Sequence, residues 1–312
     1  MMNLQTQLAP CHKRGLLLRN PVVIASGPLG YGVDNANIAE MHRLGAFTCK
    51  GTTLHPQKGN EQPRIVETAS GMLNAVGLQN PGIHTVIKQY APIWATWQTP
   101  VIVNISGETI EEFVELATLL EGVDGVAGIE VNVSCPNVLA GGAVFGADAH
   151  TVATVTASVR RVTTLPMIVK LSPYSGDVRP TALAAASSGA DAVSLINTIT
   201  GMSININKRR PILANITGGL SGPAIKPIAL RMVYEVAQEL RLSYPQVSII
   251  GIGGISNTND ALEFLMVGAS AIQIGTINFT NPRAGVEIVE GIEAFLHKEG
   301  IDNIVEFIGA AQ

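Results

Sequence analysis

Eight short runs of apolar, largely β-branched residues recur along this 312-residue chain, and a stretch with helical periodicity follows each run. The runs are continuously apolar, which is typical of parallel strands with both faces buried. The predicted strands span residues 22–26, 46–50, 101–105, 129–133, 167–171, 192–196, 248–252 and 271–275. Strands that alternate with helices indicate βαβ units, and eight regular units favour a closed (β/α)8 barrel over an open doubly wound sheet.

The predicted helices have the lengths that such units require. They span residues 35–44, 82–97, 109–120, 149–162, 178–188, 223–242, 259–267 and 282–298. A capping box, Thr109-x-x-Glu112, opens the third helix. Three βα connections are long, 51–81, 134–148 and 197–222, and long structured loops at the C-terminal face of a barrel usually carry function.

The composition favours one large folded unit. Charged residues make up 14% of the chain, against ~25% in an average soluble domain, and hydrophobic residues make up 46%, so a large core can be buried. No linker or shift in composition marks a second domain. We therefore predict a single α/β domain over residues 1–312, a TIM barrel with long βα loops at its C-terminal face and residues 1–20 capping its bottom.

Several classes of function are not expected. The net charge is −4 and the longest basic run is Lys208-Arg209-Arg210, so we expect no nucleic-acid binding. No apolar run approaches the ~18–20 residues of a membrane span, and residues 1–14 lack the apolar core of a secretory signal. Three cysteines without a CxxC spacing argue against a disulfide framework or a metal site, and a cytoplasmic location is expected.

Each predicted strand ends in a residue that differs in character from its apolar body. If the barrel closes, these ends converge on one mouth, which favours a binding or catalytic site over eight unrelated turns. The strand-end residues are Ser26, Lys50, Asn104, Asn132, Lys170, Asn197, Gly253 with Gly254, and Gly275 with Thr276.

The glycines lie after the last two strands, where barrels commonly bind phosphate through backbone N–H groups. The glycine-rich segment 218–222 precedes a helix and could add further donors. Because the Rossmann GxGxxG spacing is missing, a dinucleotide-binding fold is not predicted.

Lys170 lies in the apolar strand MIVKL, where an ammonium group requires a partner. It could form a Schiff base, stabilise an anion that develops on a cofactor, or belong to a structural salt bridge. Lys50 could bind a carboxylate or a phosphate. Cys135 follows the fourth strand among polar residues, which makes it a candidate acid, base or nucleophile, although an inert buried thiol is the alternative. Cys49, inside a strand, fits that alternative better.

At these residues the chain resembles the class 1 dihydroorotate dehydrogenases, and the class 1B catalytic subunits in particular. The resemblance covers almost the whole sequence. The motifs that carry it are 25–27 (ASG), Lys50-Gly51, 71–82 (GMLNAVGLQNPG), 131–138 (VNVSCPNV), Gly141-Gly142, Phe145-Gly146, 218–227 (GGLSGPAIKP), Gly253-Gly254 and Gly275-Thr276.

The resemblance implies one FMN on a (β/α)8 barrel and oxidation of (S)-dihydroorotate to orotate in pyrimidine synthesis. Cys135 matches the class 1 catalytic base for the C5 proton, and Lys170 would stabilise negative charge near N1 of the flavin. The implied FMN contacts are Ser26, Lys50, Gly51, Asn104, Asn132, Lys170, Ile196, Gly222, Gly253, Gly254, Gly275 and Thr276. The implied substrate contacts are Lys50, Asn74, Ala75, Val76, Gly77, Leu78, Asn132, Asn197 and Thr198.

The resemblance to class 1B also implies a heterotetramer of two catalytic and two electron-transfer subunits. FAD and a [2Fe–2S] cluster would lie on the electron-transfer subunit and pass electrons to NAD+. Three scattered cysteines cannot supply a four-cysteine cluster in this chain. The alternatives are a fumarate-using class 1A homodimer, a barrel like that of dihydropyrimidine dehydrogenase, a flavin-free Schiff-base aldolase, and a barrel without catalytic activity.

Overall fold

Eight parallel strands close a barrel in the computed structural model, which describes residues 2–33, 38–134, 146 and 148–312. Each strand pairs with the next one along the chain, and β8 pairs with β1 through Gln273 and Val23. The barrel strands are β1 (Val22–Ile24), β2 (Ala46–Thr48), β3 (Val101–Ile105), β4 (Gly128–Asn132), β5 (Met167–Lys170), β6 (Ala192–Leu195), β7 (Ser248–Ile252) and β8 (Ala271–Ile274). The predicted (β/α)8 barrel is confirmed, and every strand lies within a residue or two of its predicted position.

Helices follow the barrel strands as the periodicity predicts. The α-helices span Ile38–Met41, Ile83–Thr85, Ala91–Trp94, Ile110–Leu120, Ala149–Arg160, Arg179–Ser187, Lys226–Ser243, Thr258–Met266 and Ala284–Glu299, with short 3₁₀ helices at Pro223–Ile225, Thr276–Phe279 and Ile304–Glu306. The predicted helix 82–97 contains a π-helical turn, Val86–Tyr90, just before Pro92, which has no N–H to continue the α-helical ladder. Within the described residues, no helix combines the length and hydropathy needed to cross a membrane.

The predicted capping signal at the third helix is present with one difference. The Thr109 side chain accepts a hydrogen bond from the Glu112 N–H at 3.2 Å, as an N-cap does. The Glu112 carboxylate accepts from the N–H of Glu108, at 2.7 Å, rather than from that of Thr109. The Glu112 carboxylate thus binds the backbone N–H of the residue that precedes the N-cap, Thr109.

A two-stranded hairpin, Thr6–Gln7 with Leu17–Leu18, lies against the ends of the barrel at which the strands begin. Thr6 donates to the carbonyl oxygen of Ser270, and Ser248 donates to that of Gln7. Leu8, Leu16 and Leu18 are buried in one apolar cluster with the barrel residues Val23, Ile102 and Ile250. We therefore propose that residues 1–20 cap the bottom of one domain that spans residues 1–312.

The long connections after β2 and β6 pair with each other in an antiparallel sheet. Its strand order is Ile199–Met202, Thr217–Ser221, Gly71–Asn74 and Ile65–Thr68. A smaller pair, Ile204–Asn205 with Arg210–Pro211, extends from the connection after β6. These strands were not predicted, because each has only two to five residues and none is a continuously buried apolar run.

Candidate functional site

The carboxyl ends of the barrel strands bring predicted site residues from different units into contact. Lys170 ends β5 and Ser26 follows β1, and the Lys170 Nζ lies 3.5 Å from the Ser26 Oγ. The Lys170 residue is only 5% exposed. An ammonium group from one side of the barrel thus reaches a hydroxyl on another side, at the mouth that the strand ends were predicted to form.

The partner of Lys170 is Glu130, in the body of β4. The Glu130 Oε2 lies 3.8 Å from the Lys170 Nζ, and its side chain is fully buried. Among the residues that the structure describes, Glu130 is the one carboxylate paired with Lys170. The salt-bridge interpretation of Lys170 is therefore confirmed in geometry. An ion-paired ammonium is not a nucleophile, so the geometry favours a role that uses the lysine's charge over Schiff-base formation.

Three neutral side chains complete the surroundings of the Glu130 carboxylate. Asn104 Nδ2 donates to Oε2 at 2.6 Å, while Ser194 Oγ and Gln273 Nε2 donate to Oε1 at 2.9 and 3.0 Å. These residues belong to β3, β6 and β8, and all are buried inside the barrel. A buried polar layer thus lies beneath the mouth.

Asn104 presents a second atom that the protein does not satisfy. Because its Nδ2 faces Glu130, its Oδ1 turns away, and this buried oxygen has no hydrogen-bond partner among the residues that the structure describes. A Cβ atom at Gly51 would lie 3.0 Å from that oxygen and 3.6 Å from Leu78. Gly51 therefore leaves open the space beside an unsatisfied acceptor.

Lys50, the neighbour of Gly51 in the chain, contacts the connection after β2. Its Nζ donates to the Gly77 carbonyl oxygen at 3.4 Å.

A chain of hydrogen bonds connects the ends of β4 and β6. The Thr198 N–H donates to Asn197 Oδ1 at 2.8 Å, and Asn197 Nδ2 donates to Ser134 Oγ at 2.6 Å. Ser134 Oγ in turn donates to Asn132 Oδ1 at 2.7 Å. Asn132 pairs in register with Lys170, so this amide chain adjoins the Lys170 pair.

Residues outside the predicted set hold this segment in place. The hydroxyl of Tyr174, after β5, lies 3.2 Å from the Thr198 carbonyl oxygen and accepts a hydrogen bond from the Thr200 N–H. A Cβ atom at Gly219 would overlap the Thr198 side chain, so glycine is required there for the close approach. The connection after β6 is therefore fixed from two sides.

The predicted substrate segment from Asn74 to Leu78 divides into two parts. Asn74 Nδ2 donates to the Gly219 carbonyl oxygen at 3.4 Å, which brings it next to Thr198. The carbonyl oxygens of Ala75 and Val76 instead accept from Asn60, within their own long connection.

Glycines after β6 and β7 form a close-packed bed of backbone. Gly222, Gly253 and Gly254 have φ angles of 92°, 135° and 73°, which L residues rarely adopt. A Cβ atom at Gly254 would lie 2.8 Å from the Gly222 carbonyl oxygen and from the Lys226 backbone nitrogen. Side chains are therefore excluded where the backbone could approach an anion.

The residues after β8 lie beside these glycines. Thr276 Oγ1 lies 2.8 Å from Ser221 Oγ, which brings β8 next to the strand Thr217–Ser221. A Cβ atom at Gly275 would come no closer than 3.7 Å to Ala25, so space remains on that side. Ile196, the remaining predicted contact, is buried in the core, and its N–H donates to the Ile252 carbonyl oxygen at 2.9 Å.

The lysine beside the glycines is already neutralised. Lys226 Nζ lies 2.7 Å from Asp260 and 3.0 Å from Glu263, and the hydrogen bond to Asp260 raises the pKa of the ammonium. Asp260 also accepts from the Ser256 N–H at 2.9 Å. This network braces the loop after β7 against the helix Lys226–Ser243.

Cys135 lies outside the described residues, so its predicted role stays a prediction. Cys49 follows β2 and is fully buried, and burial raises the pKa of its thiol to about 12. Its Sγ donates to the Lys50 carbonyl oxygen at 3.5 Å. Such a thiol stays protonated and inaccessible, which agrees with the prediction that Cys49 is inert.

Sequence reasoning missed Glu130, Ser134 and Tyr174. A signal for Glu130 was present, since a charge inside the apolar run 129–133 is the same anomaly that identified Lys170. Ser134 and Tyr174 had no comparable signal, because serine and tyrosine are common in loops. Within the described ranges, no cluster of three His, Cys, Asp or Glu side chains is arranged to hold a metal ion.

The mouth therefore combines an ion-paired ammonium, amide side chains and a bed of backbone N–H groups. Such an arrangement suits a flat ligand with amide-like edges and a phosphate. Charged groups fixed in a buried setting can stabilise negative charge that develops on such a ligand.

Comparisons with known proteins give the family. The family model of dihydroorotate dehydrogenase matches residues 11–296. The chain is 55% identical over 296 residues to the "Dihydroorotate dehydrogenase B (NAD(+)), catalytic subunit" of Geotalea daltonii, which covers 95% of each chain. It is 50% identical over 309 residues to the protein of the same name from Thermoanaerobacter pseudethanolicus, at 99% of each chain. The chain that folds into this barrel therefore belongs to the dihydroorotate dehydrogenase family.

Proposed function

We propose that this protein oxidises (S)-dihydroorotate to orotate in pyrimidine biosynthesis, as an FMN-dependent catalytic subunit whose electrons reach NAD+. The observation that carries the proposal is the Lys170 ammonium at the mouth, beside Ser26 and above the buried Glu130. A fixed positive charge there stabilises a hydride acceptor as it becomes negatively charged. The relatives named above carry this activity and the acceptor NAD(+) in their names.

The residues present fit FMN. The unsatisfied Oδ1 of Asn104 offers an acceptor for an N–H on the edge of a planar ring. At Gly222 and Gly254 the backbones pack too closely for a Cβ atom, and we propose that the backbone N–H groups held there bind the phosphate. When bound, FMN supplies the hydride acceptor. The residues proposed to hold it are Ser26, Lys50, Gly51, Asn104, Asn132, Lys170, Ile196, Gly222, Gly253, Gly254, Gly275 and Thr276.

The substrate is proposed to lie against the amide chain. Asn132 and Asn197 each present both a donor and an acceptor, which matches the alternating amide edges of a dihydropyrimidine. Lys50, held at Gly77, suits the substrate carboxylate. The further contacts proposed are Asn74, Ala75, Val76, Leu78 and Thr198. Cys135 is proposed to remove the C5 proton.

An electron-transfer partner is part of the proposal. The words "catalytic subunit" in the relatives' names imply a second subunit in those proteins. We propose that this chain forms a homodimer that assembles with two such subunits into a heterotetramer, with FAD and a [2Fe–2S] cluster on the partner. A class 1A-type enzyme that reduces fumarate and a dihydropyrimidine dehydrogenase-like barrel are the alternatives to be tested.

The decisive experiment uses the purified chain. We expect heat-released chromophore to have the mass of FMN, at about one per chain, and dihydroorotate to bleach the flavin absorbance without oxygen. Dihydrouracil and fumarate serve as the competing donor and acceptor. FAD, no flavin in folded protein, or faster bleaching by dihydrouracil would contradict the proposal.

A further inference from the structure

The buried carboxylate of Glu130 has no part in the proposed chemistry, although it contacts two of the proposed FMN residues. Its Oε2 lies 3.8 Å from Lys170 Nζ and 2.6 Å from Asn104 Nδ2. The side chain is fully buried, and such a position is costly for a carboxylate unless partners compensate it. Because Glu130 contacts both the Lys170 ammonium and the Asn104 amide, it can determine how these two groups are oriented toward a ligand at the mouth.

We propose that Glu130 is the positioning residue of the flavin site. Its carboxylate holds the Lys170 ammonium at the mouth through the ion pair, and it orients the Asn104 amide so that Oδ1 faces the ligand. The inference rests on the proposed binding of FMN, and it adds a residue that does not itself touch flavin or substrate.

The geometry around Lys170 supports the first half of this inference. Lys170 is 5% exposed, and its described polar partners are Glu130 and the Ser26 hydroxyl. A hydroxyl alone does not compensate a buried ammonium, so without the carboxylate the lysine side chain would move toward water. That movement would take the positive charge away from its place at the mouth.

The geometry around Asn104 supports the second half. A carboxylate accepts hydrogen bonds and cannot donate them, so the amide of Asn104 must turn its Nδ2 toward Glu130. The Oδ1 is then left without a partner and faces the space beside Gly51. The other Glu130 oxygen is held by Ser194 and Gln273 from the opposite side of the barrel, which fixes the carboxylate itself.

A double-mutant cycle tests the inference through sulfite binding, which adds a negative charge to oxidised flavin and is read from the loss of its absorbance. In the parent background, Glu130→Gln is expected to raise the sulfite dissociation constant at least about tenfold, as befits the loss of a charge-assisted contact. In a Lys170→Met background no cation remains to be held. There Glu130→Gln should raise the constant much less than in the parent background, because only its effect on Asn104 remains.

A control variant separates positioning from packing. Ser194→Ala removes one neutral hydrogen bond from the same carboxylate without a change of charge, while Gln273 still donates to that oxygen. It should leave the sulfite constant within about twofold, as expected for one neutral hydrogen bond. If Glu130→Gln does not fold, Glu130→Asp keeps the charge but withdraws it from Lys170. That variant should weaken sulfite binding to a smaller extent, and an unchanged constant would overturn the inference.

The outcomes are distinguishable. The same loss of sulfite affinity in both backgrounds would overturn the inference, because it would show that Glu130 does not act through Lys170, and no loss in either background would also overturn it. A parent protein that binds no FMN would overturn the proposed function and this inference with it. Urea unfolding of the flavin-free variants gives an independent readout, because a contact between Glu130 and Lys170 must appear there as a coupling free energy.

Discussion

At the scale of single residues, the site depends on which titratable groups are paired and which are isolated. Lys170 and Glu130 share a buried environment and compensate each other's charge. Cys49 has no such partner and stays neutral, since burial raises the pKa of its thiol to about 12. Lys170 is thus suited to supply a fixed positive charge at the mouth, whereas the Cys49 thiol is suited only to packing.

The proposed base leads to the first prediction. We expect Cys135→Ser to fold and bind FMN, yet to reduce flavin with dihydroorotate at least ~100-fold more slowly near neutral pH, because the seryl hydroxyl is a far weaker acid than a thiol with pKa ~8.5. Its residual rate should keep rising toward more alkaline pH than that of the parent. Stopped-flow reduction across pH measures this. A parental rate at neutral pH would show that another group takes the proton.

Cys49 leads to a prediction about alkaline stability. Its folded-state pKa, raised to about 12, lies above the unfolded value, so the unfolded state ionises first and the free energy of unfolding falls as pH rises from about 9 toward 12. We expect Cys49→Ala to abolish the part of that fall that comes from the ionisation of this one thiol, ~2 kcal/mol between about pH 8 and about pH 10. Urea unfolding at both pH values provides the measurement.

The control for this prediction is the activity profile. Cys49→Ala is expected to leave the pH dependence of flavin reduction unchanged, since the buried thiol takes no part in the chemistry. Burial also raises the pKa of Tyr31, so some alkaline loss of stability should persist in the variant. Equal pH slopes of stability in parent and variant would refute the assignment to Cys49.

At the scale of elements, loops that belong to different βα units build the mouth together. The strands Gly71–Asn74 and Thr217–Ser221 pair across units, and this pairing brings Asn74 beside Gly219. The glycine bed depends likewise on contacts between Gly222 and Gly254 from separate connections. The local backbone shape of these loops therefore determines what the site can bind.

Gly254 provides a test of that dependence. Its φ of 73° and the 2.8 Å approach of a Cβ atom to the Gly222 carbonyl oxygen leave no room for a methyl group. We expect Gly254→Ala to raise the FMN dissociation constant at least about tenfold, because displaced backbone donors lose charge-assisted hydrogen bonds to phosphate. Fluorescence titration of flavin-free protein with FMN gives the constant.

Gly122→Ala is the matched control. Gly122 has a nearly identical φ of 75°, but a Cβ atom there would meet nothing within 4 Å. It should lose a comparable ~1–2 kcal/mol of stability through backbone strain and keep parental FMN affinity. Equal FMN affinities in the two variants would contradict a phosphate role for the bed.

At the scale of the whole molecule, the barrel carries the candidate site at the mouth that its strand ends form. Its sheet is closed by eight strands and carries no GxGxxG turn. The described residues also contain no cluster of metal ligands for an iron–sulfur centre. We propose that a partner subunit carries the electrons onward.

This leads to a prediction about electron acceptors. The purified chain is expected to reduce an artificial dye with dihydroorotate and to reduce NAD+ at least ~100-fold more slowly, since a hydride or electron donor must be positioned against its acceptor. Addition of the electron-transfer subunit should restore NAD+ reduction. The assay follows NADH absorbance, and efficient NAD+ reduction by the chain alone would overturn the two-subunit proposal.

The amino-acid sequence by itself determined the barrel and much of the mouth. Continuous apolar runs with a helical pattern between them permit few other arrangements, and parallel strands place Ser26 and Lys170 at the same face whatever the detailed packing. The sequence also predicted the glycines of the mouth, because glycine is favoured where the backbone adopts a positive φ, as Gly222, Gly253 and Gly254 do.

The tertiary structure alone decided the pairings across units. The contacts between Glu130 and Lys170, between Asn197 and Ser134, and between the strands Gly71–Asn74 and Thr217–Ser221 join segments distant along the chain. No local periodicity encodes such contacts, since they depend on strand register and on how far each side chain reaches across the closed barrel. For that reason the sequence places Glu130 in an apolar strand but does not identify it as the partner of Lys170, which only the closed barrel shows.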